Sequence, residues 1–314
     1  MIIVTGAAGF IGSNIVYDLN KKGFTDIIVV DDLTAGSKHL NLNSLSFVDY
    51  LDKDELIKEL PNIKGKVKTI FHQGACSDTT EHNGKFMMET NYTYSKNLLL
   101  WACEHNVDFL YASSAAVYGK GNDGFREDPI CENPLNVYGF SKLAFDNYVR
   151  LLLKNKKLSN QILGLRYFNV FGYQENHKGK MASVPYHFYN QLIETNKMNL
   201  FEGSKNFLRD FIFIQDVLAV NYYFYLSKQS GIFNCGTGNA RSFYDIAVHV
   251  KNFYEGSEIN FIPFPDELKG RYQTFTQANI DQLRLLGCNH HFTSLEEGID
   301  AYFDVLKESN GFLV

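Results

Sequence analysis

Tyr138-Gly139-Phe140-Ser141-Lys142 places a phenol and an ammonium four positions apart, which is one face of a helix. A lysine beside a tyrosine lowers the phenol's pKa, so the tyrosine can trade a proton with a carbinol while a hydride moves elsewhere. Y-x-x-x-K is common on its own and gains weight only in company. Upstream, Tyr111-Ala112-Ser113-Ser114-Ala115-Ala116-Val117-Tyr118-Gly119 reads as a strand end that delivers hydroxyls, and Ser114 there can hydrogen-bond a reacting oxygen. Serines at strand ends are also ordinary turn residues. Further on, His177-Lys178-Gly179-Lys180 carries a second cluster of positive charge. It reads either as a solvated loop or as a second proton donor. A one-way dehydrogenase has no use for that donor; a reaction that returns hydride to the opposite face of a ketone does.

Val4-Thr5-Gly6-Ala7-Ala8-Gly9-Phe10-Ile11-Gly12 follows a strand-like run and opens a helix-like one. Glycines at 6, 9 and 12 allow a tight turn and bring a pyrophosphate to the amides of a helix N-terminus, where the dipole favours negative charge. Asp31 and Asp32 close the next strand-like run, where a carboxylate accepts from adenosine ribose hydroxyls and points to NAD. Lys38 and Lys53 point the other way, since a lysine at the ribose edge welcomes the extra phosphate of NADP. Surface solvation accounts for both lysines equally well, and NAD and NADP both stand at this point.

These residues need a scaffold. Short apolar runs at 2–4, 27–30, 69–71, 108–111 and 162–165 alternate with amphipathic stretches at 11–22, 85–105 and 140–153. That rhythm predicts an α/β fold, a Rossmann doubly wound parallel sheet covered by helices on both faces. After about residue 170 the rhythm breaks, with helix expected at 183–195 and 242–255 and a buried strand at 208–214. The expected organisation is a cofactor-binding domain over 1–168, with a returning segment at about 208–235. A smaller C-terminal substrate-binding domain takes 169–207 and 236–314, and the ligand lies between the two.

Composition bounds the alternatives. At 314 residues, 45% hydrophobic and 21% charged, the chain hides enough surface to fold without disulfides or structural metals. A net charge of −5 argues against a nucleic-acid partner. Cys76, Cys103, Cys131, Cys235 and Cys288 are odd in number and never form C-x-x-C, so they read as reduced, small, buried side chains with no metal site. Met1 runs straight into Ile2-Ile3-Val4 with no basic leader, and the apolar stretch 211–226 is broken by Gln215 and Asp216. A cytoplasmic protein with no membrane partner is expected.

The glycine loop, Ser114 segment and Tyr138–Lys142 pair, with Arg166-Tyr167-Phe168-Asn169 and Arg209-Asp210, resemble the extended short-chain dehydrogenase/reductase group of nucleotide-sugar enzymes over essentially the whole chain. Five further motifs resemble its ADP-heptose 6-epimerase branch. They are Phe71-His72-Gln73-Gly74-Ala75-Cys76-Ser77, His177-Lys178-Gly179, Met181-Ala182-Ser183-Val184, Phe201-Glu202-Gly203-Ser204 and Lys269-Gly270-Arg271-Tyr272-Gln273. The resemblance implies an isomerase that inverts C6″ of ADP-D-glycero-D-manno-heptose through a transient ketone, supplying heptose for the lipopolysaccharide core. It implies bound NADP, with NAD the alternative, and a homo-oligomer.

Carried residue by residue, the resemblance implies that Tyr138, Lys178, Ser114 and Lys142 are catalytic. Gly6, Gly9, Phe10, Ile11, Gly12, Asp31, Asp32, Lys38, Lys53, Gln73, Gly74, Ala75, Cys76, Ser77, Asn91, Lys142, Val170 and Lys178 would contact cofactor, the lysines at 38 and 53 serving its phosphate. Asn169, Lys180, His187, Phe201, Glu202, Gly203, Ser204, Arg209 and Tyr272 would hold the ADP-sugar. Arg209 could grip a diphosphate bidentately or pair with a sheet carboxylate. Asp32, Asp78, Lys180 and Tyr173 depart from the branch's usual residues. Ala115-Ala116 stands where a dehydratase carries an Asp-Glu pair, which counts against that chemistry. A 4-epimerase of UDP-hexoses fits the later motifs less well, and a non-catalytic cofactor sensor has no reason to keep Ser114, Tyr138 and Lys142.

Overall fold

A computed structural model describes residues 1–155, 158–265 and 273–313. Its centre is a seven-stranded sheet built from β1 (Ile2–Thr5), β2 (Ile27–Asp31), β3 (Asp49–Asp52), β4 (Thr69–His72), β5 (Asp108–Ser114), β6 (Ile162–Tyr167) and β10 (Gly231–Cys235). The order is β10-β6-β5-β4-β1-β2-β3, and every pairing is parallel. Direction of winding reverses between β1 and β4, the switch point where such sheets open a crevice at their carboxyl ends.

The five expected strands are present, each running one to three residues past its apolar core. They read as unbroken apolar runs because both faces are covered. Ile2, Val4, Ile27, Val29, Phe71, Leu110 and Leu163 pack on one face, with Ile15, Val16 and Leu19 of α1 (Phe10–Lys21) and Val217 and Phe224 of α7 (Ile214–Ser227). Ile3, Ile28, Val30, Ile70, Phe109 and Ile162 pack on the other. There they meet α2 (Lys53–Ile63), α4 (Tyr94–Glu104) and α5 (Val137–Asn155) through Leu56, Leu98, Phe145 and Val149.

The single helix expected over 85–105 is interrupted. α3 (Gly84–Met88) passes through a π-helical turn, Glu89–Thr93, before α4 begins. Such a turn carries one residue more than an α turn and re-aims a side chain, here Asn91.

The expected strand at 208–214 is β9 (Leu208–Phe213), in a three-stranded sheet with β7 (Asn169–Phe171) and β11 (Ala240–Ser242). A two-stranded sheet pairs β8 (Lys197–Phe201) with β12 (Glu258–Ile262). Around these lie α6 (Val184–Thr195), α8 (Phe243–Lys251), the short α9 (Asp281–Leu285) and α10 (Leu295–Ser309). The core that covers β1 runs on through Phe188 of α6, Ile246 of α8 and Phe303 of α10. No helix among the described residues is long and apolar enough to cross a membrane. Three of the five cysteines are buried, whereas Cys76 and Cys103 are partly exposed.

α10 starts at a capping box in which Ser294 accepts from the Glu297 amide (3.2 Å) and Glu297 accepts from the Ser294 amide (3.1 Å). Ser294→Ala should lower stability by about 1 kcal/mol, read as a lower urea midpoint at unchanged slope.

Candidate active site

At the switch point two loops touch. Gly6 has φ of +67°, and a Cβ there would lie 2.6 Å from the Gly74 nitrogen. A Cβ on Gly12 would lie 2.1 Å from the Gly6 carbonyl oxygen. The crossing therefore admits no side chain, and the loop sits tight against the N-terminus of α1 as a diphosphate cradle requires. Asp31, buried at the end of β2, accepts from the amides of Ala8 and Asp32, each at 2.7 Å, and pairs with Lys38. Its carboxylate thus fastens the glycine loop. Asp32 is the more open acid, with Lys53 3.6 Å from one oxygen and the Thr34 amide 2.9 Å from the other. Lys38 also reaches the Asp32 carbonyl oxygen (2.8 Å). These loops, acids and lysines fit a dinucleotide.

Tyr138 and Lys142 lie one turn apart on α5, facing β5. Ser114 hydrogen-bonds the Tyr138 side chain, and Lys142 Nζ donates to the Ala112 carbonyl oxygen (2.9 Å). The expected lowering of the tyrosine by the lysine is not what this arrangement gives. Burial raises the Tyr138 pKa, the Ser114 hydrogen bond opposes the rise, and Cys76 adds to it. The Lys142 ammonium is spent on the strand carbonyl, and burial lowers its own pKa to about 8 against the opposing pull of Asp146 and Cys76.

The segment Gln73–Ser77 runs along the crevice and is pinned from behind. Asn91 accepts from the Cys76 amide (2.8 Å) and donates to the Cys76 carbonyl (2.9 Å), with a third contact to Ser141 Oγ (3.1 Å). Its amide is committed to protein groups, so Asn91 shapes the crevice through Cys76. His72 continues the support. The Gly74 amide donates to Thr5 Oγ1 (3.2 Å), which lies 2.6 Å from His72 Nδ1. His72 Nε2 lies 2.7 Å from Ser95 Oγ, which donates to the Asn91 carbonyl (2.7 Å). One tautomer satisfies the whole chain: Nδ1 accepts from Thr5 and Nε2–H donates to Ser95.

The loop that follows β7 carries Lys178. It is anchored by Glu175, fully buried, whose carboxylate accepts from the Ser183 amide (2.7 Å), the Ser183 hydroxyl and the Tyr302 hydroxyl (3.1 Å). Lys178 Nζ lies 3.6 Å from this carboxylate and 4.9 Å from the centre of the Phe10 ring at the head of α1. His177 is drawn between Asn41 and the Lys38–Asp31 pair, where burial first, then Lys38 and Lys178, lower its pKa to about 4. Lys178 is thus a partly buried group at the cofactor crevice. Glu175 was not singled out from the sequence; only its place three residues before Lys178 could have flagged it.

Lys180 is largely exposed and reaches across to the other loop, 3.2 Å from Thr80 Oγ1 and 4.0 Å from Asp78. Two of the departures noted in the sequence therefore face each other. Arg209, buried, donates to the carbonyls of Leu208 (3.0 Å) and Gln273 and packs on Phe243. Gln273 in turn donates to the Gly119 carbonyl, tying this segment to the turn after Ser114. Ser204 is buried, and its hydroxyl has no partner among the described residues. Asn169 is exposed at the start of β7, Val170 follows it half-buried, and His187 is half-buried on α6. Tyr272 and Lys269–Arg271 lie outside the described residues.

Residues 2–236 match the model of the NAD dependent epimerase/dehydratase family. Over the whole of both chains, the sequence is 52% identical to an ADP-L-glycero-D-manno-heptose-6-epimerase of Brachyspira hyodysenteriae. The fold superposes on the crystal structure of the Helicobacter pylori ADP-L-glycero-D-manno-heptose-6-epimerase with a TM-score of 0.85 at 31% identity, covering 98% of this chain and 96% of that one. It is also similar to a UDP-glucose 4-epimerase of Thermotoga maritima, solved with UDP-glucose, with a TM-score of 0.83 at 25% identity, covering 98% and 99% of the two chains.

The buried histidine leaves a pH signature. Desolvation, helped by Lys142, lowers the His72 pKa from 6.5 to about 3. Below pH 6.5 the unfolded chain binds a proton that the folded chain refuses. Stability is therefore complete above pH 6.5 and is lost as pH falls toward 3, to a limit of roughly 4–5 kcal/mol. Urea midpoints should fall between pH 6.5 and 4.5, and less steeply in a His72→Gln variant. Equal slopes would contradict this assignment.

Proposed function

The chain belongs to the NAD dependent epimerase/dehydratase family, and we propose that it inverts C6″ of ADP-D-glycero-D-manno-heptose to give the L-glycero epimer. The full-length identity to a relative named for that reaction supports the substrate. The observation that carries the mechanism is Lys178, a second proton-bearing side chain held at the cofactor crevice by Glu175 and packed on Phe10. When bound, the nicotinamide cofactor supplies a hydride acceptor that is also the donor for the return.

Tyr138 and Lys178 are the two acid/base groups. One takes the proton from the C6″ hydroxyl as hydride leaves the same carbon, giving a ketone. The ketone turns over, hydride returns to its opposite face, and the oxygen takes a proton from the other group. Each turnover moves one proton from the second residue to the first, and exchange with solvent resets the pair. Ser114 holds the reacting oxygen and Lys142 supplies positive charge beside Tyr138. Arg209 and Ser204 face the nucleotide diphosphate and sugar, with Asn169, Lys180, His187, Phe201, Glu202 and Gly203 completing that side.

Proton NMR of the purified protein with ADP-D-glycero-D-manno-heptose and no added cofactor should show conversion to the L-glycero epimer. Lys178→Met and Tyr138→Phe should each slow it by a hundredfold or more. No conversion, even with NADP supplied, would sink the heptose assignment and direct the test to UDP-hexoses.

NADP is the cofactor we favour within this NAD-dependent family, because Lys38 and Lys53 both lie against Asp32 at the ribose edge. Lys53→Ala should weaken NADP binding by roughly tenfold, equivalent to one charged hydrogen bond, and change NAD binding little. Calorimetric titration with each dinucleotide reads both. An equal loss for the two would remove Lys53 from phosphate recognition.

A further inference from the structure

We propose that Asp146 is a positioning residue for the reaction, a buried carboxylate one turn beyond Lys142 on α5 that balances the ammonium's charge beside Tyr138. The proposal rests on Lys142 supplying that charge and names a residue not assigned above. Tyr138, Lys142 and Asp146 succeed one another at single-turn intervals on α5, and each is matched to β5. Tyr138 meets Ser114 and Lys142 meets the Ala112 carbonyl. Asp146 accepts from the Ser113 hydroxyl and the Tyr111 hydroxyl, each at 2.9 Å. Strand residues on either side of Ala112 thus both donate to the one acid that comes a turn after Lys142.

Asp146 is fully buried, and its other neighbour is Arg166 of β6, also fully buried, whose Nε donates to it at 2.9 Å. Arg166 passes on to Glu132 (2.6 Å), which Arg150 grips from the far side. The row alternates in sign from Lys142 through Asp146, Arg166 and Glu132 to Arg150, and Asp146 is the anion that lies between the proposed active site and the rest. Other titratable groups facing Lys142 are few. Cys76 comes from the crevice segment and His72 from β4. Burial lowers the Lys142 pKa, and Asp146 is the leading opposing influence.

Protein labelled with carbon-13 at lysine Cε gives a Lys142 resonance, assigned as the one missing from Lys142→Arg. In Asp146→Asn its titration midpoint should fall by about one unit or more, and the high-pH limb of kcat should move in the same direction. Glu132→Gln, which removes an anion from the far side of Arg166, should leave the Lys142 midpoint nearly unchanged. An unmoved midpoint in folded Asp146→Asn, or an equal shift in Glu132→Gln, would overturn the proposal. Should Asp146→Asn fail to fold, the pair Tyr111→Phe and Ser113→Ala strips two donors from the carboxylate and should raise the Lys142 midpoint; no rise would overturn it as well. The titration is read without substrate, so failure of the heptose assignment would leave it untouched.

Discussion

The contact on which the site depends is a crossing of two backbones. Where winding reverses between β1 and β4, the loops leaving those strands meet at Gly6 and Gly74 with no space for a side chain. Everything around the crossing holds it shut. Asp31 draws the glycine loop toward β2 through the Ala8 amide. Thr5 and His72 fasten the other loop through hydrogen bonds that water cannot replace, because both side chains are buried. A charged histidine could not serve, since it would donate from both nitrogens and leave the Thr5 hydroxyl facing a second donor. Desolvation that keeps His72 neutral is thus part of the geometry of the crevice.

The second half of the site hangs from one acid in a similar way. Glu175 ties the loop after β7 to the start of α6 through Ser183 and to α10 through Tyr302. Lys178 is presented by a segment whose own ends are fastened to two helices. A buried carboxylate with several donors is expensive to move, so the loop has one seat. The exposed contact of Lys180 with Thr80 is of another kind. Exposed pairs of that type contribute about 0–1 kcal/mol and open readily, so this contact, unlike the Glu175 anchor, does not fix the loop.

Much of this was legible in the sequence, for identifiable reasons. The sheet could be read because parallel strands covered on both faces are plain apolar runs, and 27–30 or 162–165 have no other good reading. The Tyr138–Lys142 pair and the glycine loop could be read because their chemistry depends on spacing along one element. What stayed hidden depends on residues brought together from afar. Burial raised the Tyr138 pKa where the spacing of Lys142 had suggested a lowering, and no spacing rule predicts how deeply a helix will bury its phenol. Asn91's bonds to the Cys76 backbone, which shape the crevice from behind, could not be read from its position in the sequence. Cys76 and Cys103 looked like core and are partly exposed, since cysteine is compatible with either place.

The widened turn at Glu89–Thr93 has a bearing on how this chain can change over generations. Gly84–Glu104 looks like an ordinary surface helix that should accept a lost residue as easily as any other. One deletion there would restore a regular helix and swing Asn91 through about 100° relative to α4, since each residue turns the helix by that amount. The local backbone would gain regularity while Cys76 lost the amide that holds it. The length of this stretch is therefore tied to the crevice through Asn91, although nothing in its composition marks it.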